Sequence, residues 1–191
     1  MIARGPRIVT SEATLPLEDD AHIRIAVIAD THSKPHPSAA PLIAALAPHA
    51  ILHAGDIGDP AVLEPFAAIA KLVAIRGNID ERTLPDVVSI DLTAAAASVY
   101  RICLLHIGVY GAKIRGDAAR TAHAMKARML ICGHSHVPFV GKDKGLTVFN
   151  PGSIGPRRFT LPIVFGVLEI ANGKLDVHHV DCESGERWQP G

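Results

Sequence analysis

The stretch Ile23-Arg24-Ile25-Ala26-Val27-Ile28-Ala29-Asp30-Thr31-His32-Ser33 decides the reading of this chain. It is short, rich in β-branched residues and almost wholly apolar up to Ala29, which is the pattern of a strand covered on both faces. The run then stops at a carboxylate and an imidazole. Side chains two apart on an extended backbone point the same way, so Asp30 and His32 can converge on one cation. One Asp-x-His is equally the look of a polar loop after a strand, and its weight comes from recurrence along the chain.

Downstream, 34–37 reads as a loop and 38–46 as a short apolar helix opened by a serine cap. A second buried strand over 50–54 runs into Gly55-Asp56-Ile57-Gly58-Asp59. Residues 60–70 read as a helix with proline in its first turn, and 71–76 as a third strand ending in Gly77-Asn78-Ile79-Asp80. Strand, polar tip and helix recur, the signature of right-handed βαβ units and a parallel sheet. The second half changes character. Runs over 87–92 and 99–107 predict a hairpin, although the alanines between them lack the glycine or asparagine that a tight turn favours. A helix over 117–128 leads to a strand over 129–132 with the tip Gly133-His134-Ser135-His136, and further strands are expected over 146–149, 163–170 and 175–180.

Seven side chains able to bind metal therefore fall at or just past strand C-termini: Asp30, His32, Asp56, Asn78, His106, His134 and His136. Open α/β sheets place their ligands on that rim. Imidazoles and carboxylates suit borderline divalent ions, and an amide oxygen adds a ligand without charge. Glycines 55, 77 and 133 each precede such a residue, where a missing Cβ lets backbone come close.

Composition bounds the alternatives. With 191 residues, 48% of them hydrophobic and 20% charged, one domain with a substantial core is expected. We place it at 21–185, after a loose N-terminal extension of 1–20 and before a tail of 186–191. Nineteen Lys plus Arg balance nineteen Asp plus Glu. That leaves no bulk attraction for nucleic acid or an anionic membrane, although a local basic patch is compatible with it. Cys103, Cys132 and Cys182 show no Cys-x-x-Cys spacing, which points away from a disulfide framework or thiolate zinc site. No stretch has the make-up of a signal peptide or membrane span, so a cytoplasmic protein is expected.

At this point the sequence resembles the calcineurin-like metallophosphoesterases, in particular their small bacterial and archaeal phosphodiesterase branch. The blocks Asp30-Thr31-His32, Gly55-Asp56, Gly77-Asn78-Ile79-Asp80, His106-Ile107-Gly108 and Gly133-His134-Ser135-His136 stand in the family's order, and Asn150-Pro151-Gly152-Ser153 resembles a further block. The resemblance implies a four-layer α/β/β/α sandwich, two packed mixed sheets flanked by helices. It also implies two divalent metal ions, manganese foremost, with nickel, iron or zinc as alternatives. Asp30, His32 and His136 would hold the first, Asn78, His106 and His134 the second, and Asp56 would bridge them. Asp56, Asn78 and His106 would be the catalytic residues. Two dications against two carboxylates leave about two positive charges, enough for a hydroxide and a phosphodiester monoanion. The implied activity is in-line attack on a small-molecule phosphodiester by a metal-activated hydroxide, with no membrane partner and homo-oligomerisation left open. The family's retromer subunit supplies the rival reading, an interaction scaffold with weak or no catalysis.

One departure is chemical. Many family members carry, after the Gly-Asn asparagine, a histidine that protonates the leaving oxygen, and here Ile79 stands there. Around the blocks, His53 reads as a group behind the ligands or as a core histidine, Cys132 as packing, and His178 and His179 as structural. Asp59 and Asp80 read as turn-forming or ligand-supporting rather than as ligands. Arg157 and Arg158 suit either a phosphate clamp or a solvated loop.

Overall fold

The computed structural model describes residues 8–17 and 22–190. Its strands in chain order are β1 (Thr10–Pro16), β2 (Ile23–Ile28), β3 (Ala50–His53), β4 (Lys71–Ala74), β5 (Val87–Ala94), β6 (Ala97–Leu105), β7 (Val109–Tyr110), β8 (Lys113–Ile114), β9 (Met129–Ile131), β10 (Phe139–Asp143), β11 (Leu146–Asn150), β12 (Val164–Ala171), β13 (Lys174–Asp181) and β14 (Arg187–Trp188). The helices are α1 (Ala39–Ala45), α2 (Glu64–Ala67), preceded by a 3₁₀ turn at Pro60–Leu63, and α3 (Gly116–Ala124).

Two six-stranded mixed sheets form, one in the order β1-β5-β6-β9-β11-β10 and the other β14-β13-β12-β2-β3-β4. Alternation along the strands explains how they stack. Ile23, Ile25, Val27 and Ala29 of β2 and its tip join Ile90, Ile102, Leu104, Met129 and Phe149 of the opposite sheet in one buried core. The other face of β2, Ala26 and Ile28, packs with Ile43 of α1 and Phe66 of α2. On the opposite sheet, Cys103 and Leu130 face Ala118, Ala119 and Ala122 of α3. Three apolar layers separate four layers of secondary structure, the expected α/β/β/α sandwich. The central strands β2, β3 and β9 are apolar over most of their length because both faces are covered, with Arg24 and His53 as the exceptions.

Strands β2, β3 and β4 run parallel, as do β6, β9 and β11. The C-terminal ends of both parallel sets meet on one rim. No helix among the described residues is long and apolar enough to cross a membrane.

Several local expectations are corrected. Within the N-terminal stretch read as loose, Thr10–Pro16 pairs in parallel with β5 along its whole length. Only Leu15 of that strand is buried, so the acidic residues around it hid an edge strand whose driving force is backbone pairing. Residues Arg187–Trp188, placed in the tail, pair with β13, and the Trp188 ring meets His179 edge-on. The helix expected over 60–70 is a 3₁₀ turn followed by one α turn, because Pro65 offers no N–H and restricts the residue before it. Ser38 makes no side-chain cap. The alanine connection is a two-residue turn with Ala95 and Ala96 at φ +47° and +64°, the type I′ geometry that glycine or asparagine adopts more cheaply.

Candidate metal centre

Strand β2 ends at Ile28, and Asp30 and His32 lie beyond it at φ +54° and +46°. They do converge, but through left-handed turns rather than through strand alternation. Asp56, His134 and His136 share this conformation at φ +56°, +68° and +59°. Left-handed backbone costs a non-glycine residue about 1–2 kcal/mol, and such strain persists where surrounding structure enforces it.

That enforcement is visible. The amides of Asp30 and His32 donate to the carbonyls of Gly55 and Asp56 at 2.9 and 3.0 Å, lacing the β2 tip to the β3 tip. The Gly133 amide donates to the His106 carbonyl at 3.0 Å, and the His134 amide to the Asp30 carboxylate at 3.0 and 3.2 Å. Asn150 Nδ2 donates to the Gly133 carbonyl, and Ser153 Oγ to that of Asp30, each at 2.9 Å. At Gly77 a Cβ would lie 2.1 Å from Asp56 Oδ1 and 2.3 Å from the Asp56 amide nitrogen, so the close approach of the β3 and β4 tips requires glycine.

All seven residues singled out from the sequence come together. Asp30, His32 and His136 form one group, and Asp56, His106 and His134 another, with the candidate ligand atoms of each group within 4.8 Å of one another. Asn78 Oδ1 completes the second group, 3.2 Å from His106 Nε2 and 3.0 Å from His134 Nδ1. Asp56 spans both: Oδ1 lies 3.2 Å from His106 Nε2, and Oδ2 3.8 Å from His32 Nε2. Asp30, Asp56, His106 and His136 are buried, while Asn78 and His134 are exposed and leave the rim open to solvent.

The donor set fits cations. His106 Nδ1 lies 2.7 Å from the Ala54 carbonyl, which only accepts, so Nδ1 carries a proton and Nε2 is the nitrogen turned toward Asp56 and Asn78, where a cation would take the place of a second proton. The Asp56 and Asn78 oxygens each stand 3.2 Å from His106 Nε2, a cluster of donor atoms that a positive charge among them stabilises. Ligands about 2.0–2.1 Å from one ion stand at such mutual distances. In the other group, His32 Nε2 and His136 Nε2 face each other at 3.3 Å, and the buried His136 Nδ1 hydrogen-bonds to none of the described residues.

Electrostatics agree. Burial lifts Asp30 to about 7 despite the positive charge of His106 and Arg158 nearby, the mark of a carboxylate that a cation would stabilise. Burial also works against Asp56, but the His106 hydrogen bond and charge, the Ile79 amide and His32 bring it down to about 2. Burial disfavours the imidazolium of His106, and the Asp56 hydrogen bond with the Asp30 charge more than reverses this. Burial, then the Arg158 and His32 charges, takes His136 down to about 4. His32 and His134 are lowered mainly by burial as well. His32, His134 and His136 are thus held toward the neutral form that binds metal, whereas at His106 the carboxylates favour a second proton that a bound cation would displace.

Supporting residues sort themselves. His53 Nδ1 accepts from the Gly55 amide at 3.1 Å, so its Nε2–H donates to Thr31 Oγ1 at 2.6 Å, and burial takes this histidine down to about 3. It braces the β2 and β3 tips from behind. Asp80 accepts from the amides of Ile57, Gly58 and Gly77 at 2.7–3.2 Å. Asp59 caps the 3₁₀ turn through the Ala61 amide. His179, distant from every block in sequence, donates to the Asn150 carbonyl at 2.8 Å. Arg157 pairs with Glu183, whereas Arg158 lies 3.3 Å from His32 Nε2. The approach of Arg158 to His32 had no signal in the sequence beyond its place after Gly152-Ser153, because it depends on a loop folding back. Cys132 is buried against α3 and takes no part.

Asp80→Ala should leave three backbone donors unpaired around Asp56 and Asn78. A loss of roughly 2–3 kcal/mol is expected in urea unfolding, with Asp80→Asn recovering part of it. A change below about 0.5 kcal/mol would show that water replaces the carboxylate at no cost.

A family model, the calcineurin-like phosphoesterase superfamily domain, matches residues 23–173. The chain belongs to the calcineurin-like phosphoesterase superfamily. Its similarity to a probable metallophosphoesterase of Methanothermobacter thermautotrophicus reaches 33% identity over 158 residues, 80% of this chain and 88% of that protein. Among solved structures, Vps29 from Entamoeba histolytica complexed with zinc matches with a TM-score of 0.66 at 22% identity, over 87% of this chain and 96% of that one. A novel archaeal phosphodiesterase matches with a TM-score of 0.60 at 17% identity, covering 83% of this chain and all of that one. The calcineurin-like fold thus carries, in this chain, two candidate sites for divalent metal ions on one rim.

Proposed function

We propose that this calcineurin-like phosphoesterase is a dinuclear-metal phosphodiesterase acting on small-molecule phosphodiesters. Asp30, His32 and His136 hold one ion, Asn78, His106 and His134 the other, and Asp56 joins them. The observation that carries the reading is the placing of the two Asp56 oxygens on different ligand groups, with the His106 tautomer set by Ala54. The archaeal phosphodiesterase among the structural neighbours supports this reading; the zinc of the Entamoeba histolytica Vps29 supports metal binding alone, and the Vps29 likeness fits the interaction-scaffold alternative.

When bound, two divalent ions supply a nucleophilic water and positive charge for the phosphoryl oxygens. The residues do the rest. Asp56 keeps the two groups in register, and the Ile79 amide at 3.2 Å fixes its Oδ1. Asn78 contributes a neutral oxygen, so the pair of sites keeps a net positive charge toward a phosphodiester anion. Ile79 presents an exposed apolar side chain beside Asn78, and protonation of the leaving oxygen falls to solvent. Nitrogen and oxygen donors without thiolate suit manganese, with nickel, iron and zinc as competitors.

The test is anaerobic elemental analysis of native protein, followed by reloading with manganese, nickel, iron or zinc and assay on nitrophenyl diesters. Two ions per chain and metal-dependent turnover are expected. A single ion per chain would refute the bridging role of Asp56. Absence of turnover in folded, fully loaded protein would hand the site to the interaction-scaffold reading.

A further inference from the structure

A turn of costly construction stands beside His32. After Ser153 the chain passes Gly155, where a Cβ would lie 2.2 Å from the Asp30 carbonyl oxygen, so the segment is seated directly on the backbone of the site. Arg157 secures the far side, with Nη1 donating to the Leu161 carbonyl at 2.8 Å and the guanidinium paired with Glu183. Between these anchors the Leu161 amide donates to the Arg158 carbonyl at 3.0 Å and closes a turn. Phe159 sits in that turn at φ +51° and the residue is 93% exposed. Left-handed backbone is unfavourable for a bulky residue, and glycine or asparagine would make the same turn without strain. Water contact over a whole aromatic ring is a second cost.

His32, Pro156, Arg157, Arg158 and Phe159 line a cleft of about 390 Å³, at the lower end of the range for small-molecule sites. Arg157 is balanced by Glu183, so the positive charge turned to the cleft is that of Arg158. Arg158 donates to His32 Nε2 at 3.3 Å, yet that nitrogen has a single lone pair. A cation held by His32 takes the lone pair and leaves the guanidinium fork free for a phosphoryl oxygen, the geometry arginine favours.

We propose that Arg158 and Phe159 form a substrate-positioning arm: Arg158 takes a non-bridging phosphoryl oxygen, and Phe159 stacks on a planar ring carried by the ester group. This rests on the phosphodiesterase reading and narrows it to diesters bearing an aryl or nucleobase ring. A long nucleic acid strand is disfavoured by the zero net charge.

The experiment measures equilibrium binding of methyl phosphate, phenyl phosphate and thymidine 5′-monophosphate to metal-loaded protein by calorimetry. Wild type is expected to bind the two ring compounds tighter than methyl phosphate by about tenfold or more, the scale of one stacking contact. Phe159→Gly should abolish that preference and leave methyl phosphate unchanged. Because glycine relieves the left-handed strain, this variant should fold with an undiminished melting temperature. Phe159→Trp should keep the preference, and Arg158→Gln should weaken all three ligands by about tenfold. Equal losses for both ring compounds in Phe159→Gly assign the platform to planar rings in general, and a loss confined to the thymidine compound assigns it to nucleobases. A preference for both ring compounds that survives Phe159→Gly, or affinities unmoved by Arg158→Gln, overturns the proposal. Diester hydrolysis without ring preference rejects the arm alone, whereas ring preference without hydrolysis rejects the phosphodiesterase reading and leaves the arm standing.

Discussion

Asp56→Asn is expected to empty both metal positions together and to lower diester hydrolysis by at least about 10²-fold, the scale of losing one positioned electrostatic group. Oδ1 of Asp56 faces His106 and Oδ2 faces His32, so one carboxylate serves both ligand groups. The amide removes the negative charge and turns one of the two oxygens into an NH₂ that repels a cation. Asp30→Asn provides the contrast, because Asp30 belongs to one group only and should deplete that ion first. Elemental analysis and hydrolysis of a nitrophenyl diester, on variants whose thermal unfolding matches wild type, read both effects. Two undiminished ions in Asp56→Asn would sink the bridging assignment.

The second large effect concerns Ile79. General-acid assistance is typically worth about 10²–10⁴-fold and matters most when the leaving group is poor. The Ile79 side chain is 48% exposed beside Asn78 and has no proton to donate. Hydrolysis is therefore expected to fall steeply as the leaving-group pKa rises, with nitrophenyl diesters turned over readily and alkyl diesters slowly. Ile79→His should flatten that slope. Asp80 accepts amide hydrogen bonds behind the same loop and is committed there, so the new imidazole would have to be oriented by water. The measurement is a diester series in wild type and variant under conditions where chemistry limits the rate. A shallow slope in wild type would show that another group already protonates the leaving oxygen.

Much of the site was legible because its ligands terminate strands. A core strand that is apolar on both faces has one place to put a carboxylate or imidazole, its end, and the recurrence of such ends at Asp30, Asp56, Asn78, His106 and His134 marks a rim before any coordinate is known. The layer order was implied by the resemblance of the ordered blocks, since strands buried on both faces fit a three-layer arrangement as well as a four-layer one. Elements held by backbone pairing escaped. Strand β1 buries one side chain, β10 is a short hairpin partner of β11, and β14 is two residues long, so none carries a periodic apolar signal.

Residue type, order and apolar periodicity by themselves determined the βαβ units and the seven residues of the rim, whereas the four-layer sandwich and the meaning of Ile79 came from the ordered blocks through their resemblance to the family. The tertiary structure alone decided how the ligands are presented. It placed five of them on left-handed backbone and set the His106 tautomer through the Ala54 carbonyl. It also turned one Asp56 oxygen to each group and brought Arg158 against His32 across 126 positions of chain. Those features depend on which loop ends meet in space, and contacts between distant segments leave no periodicity in the segments that make them.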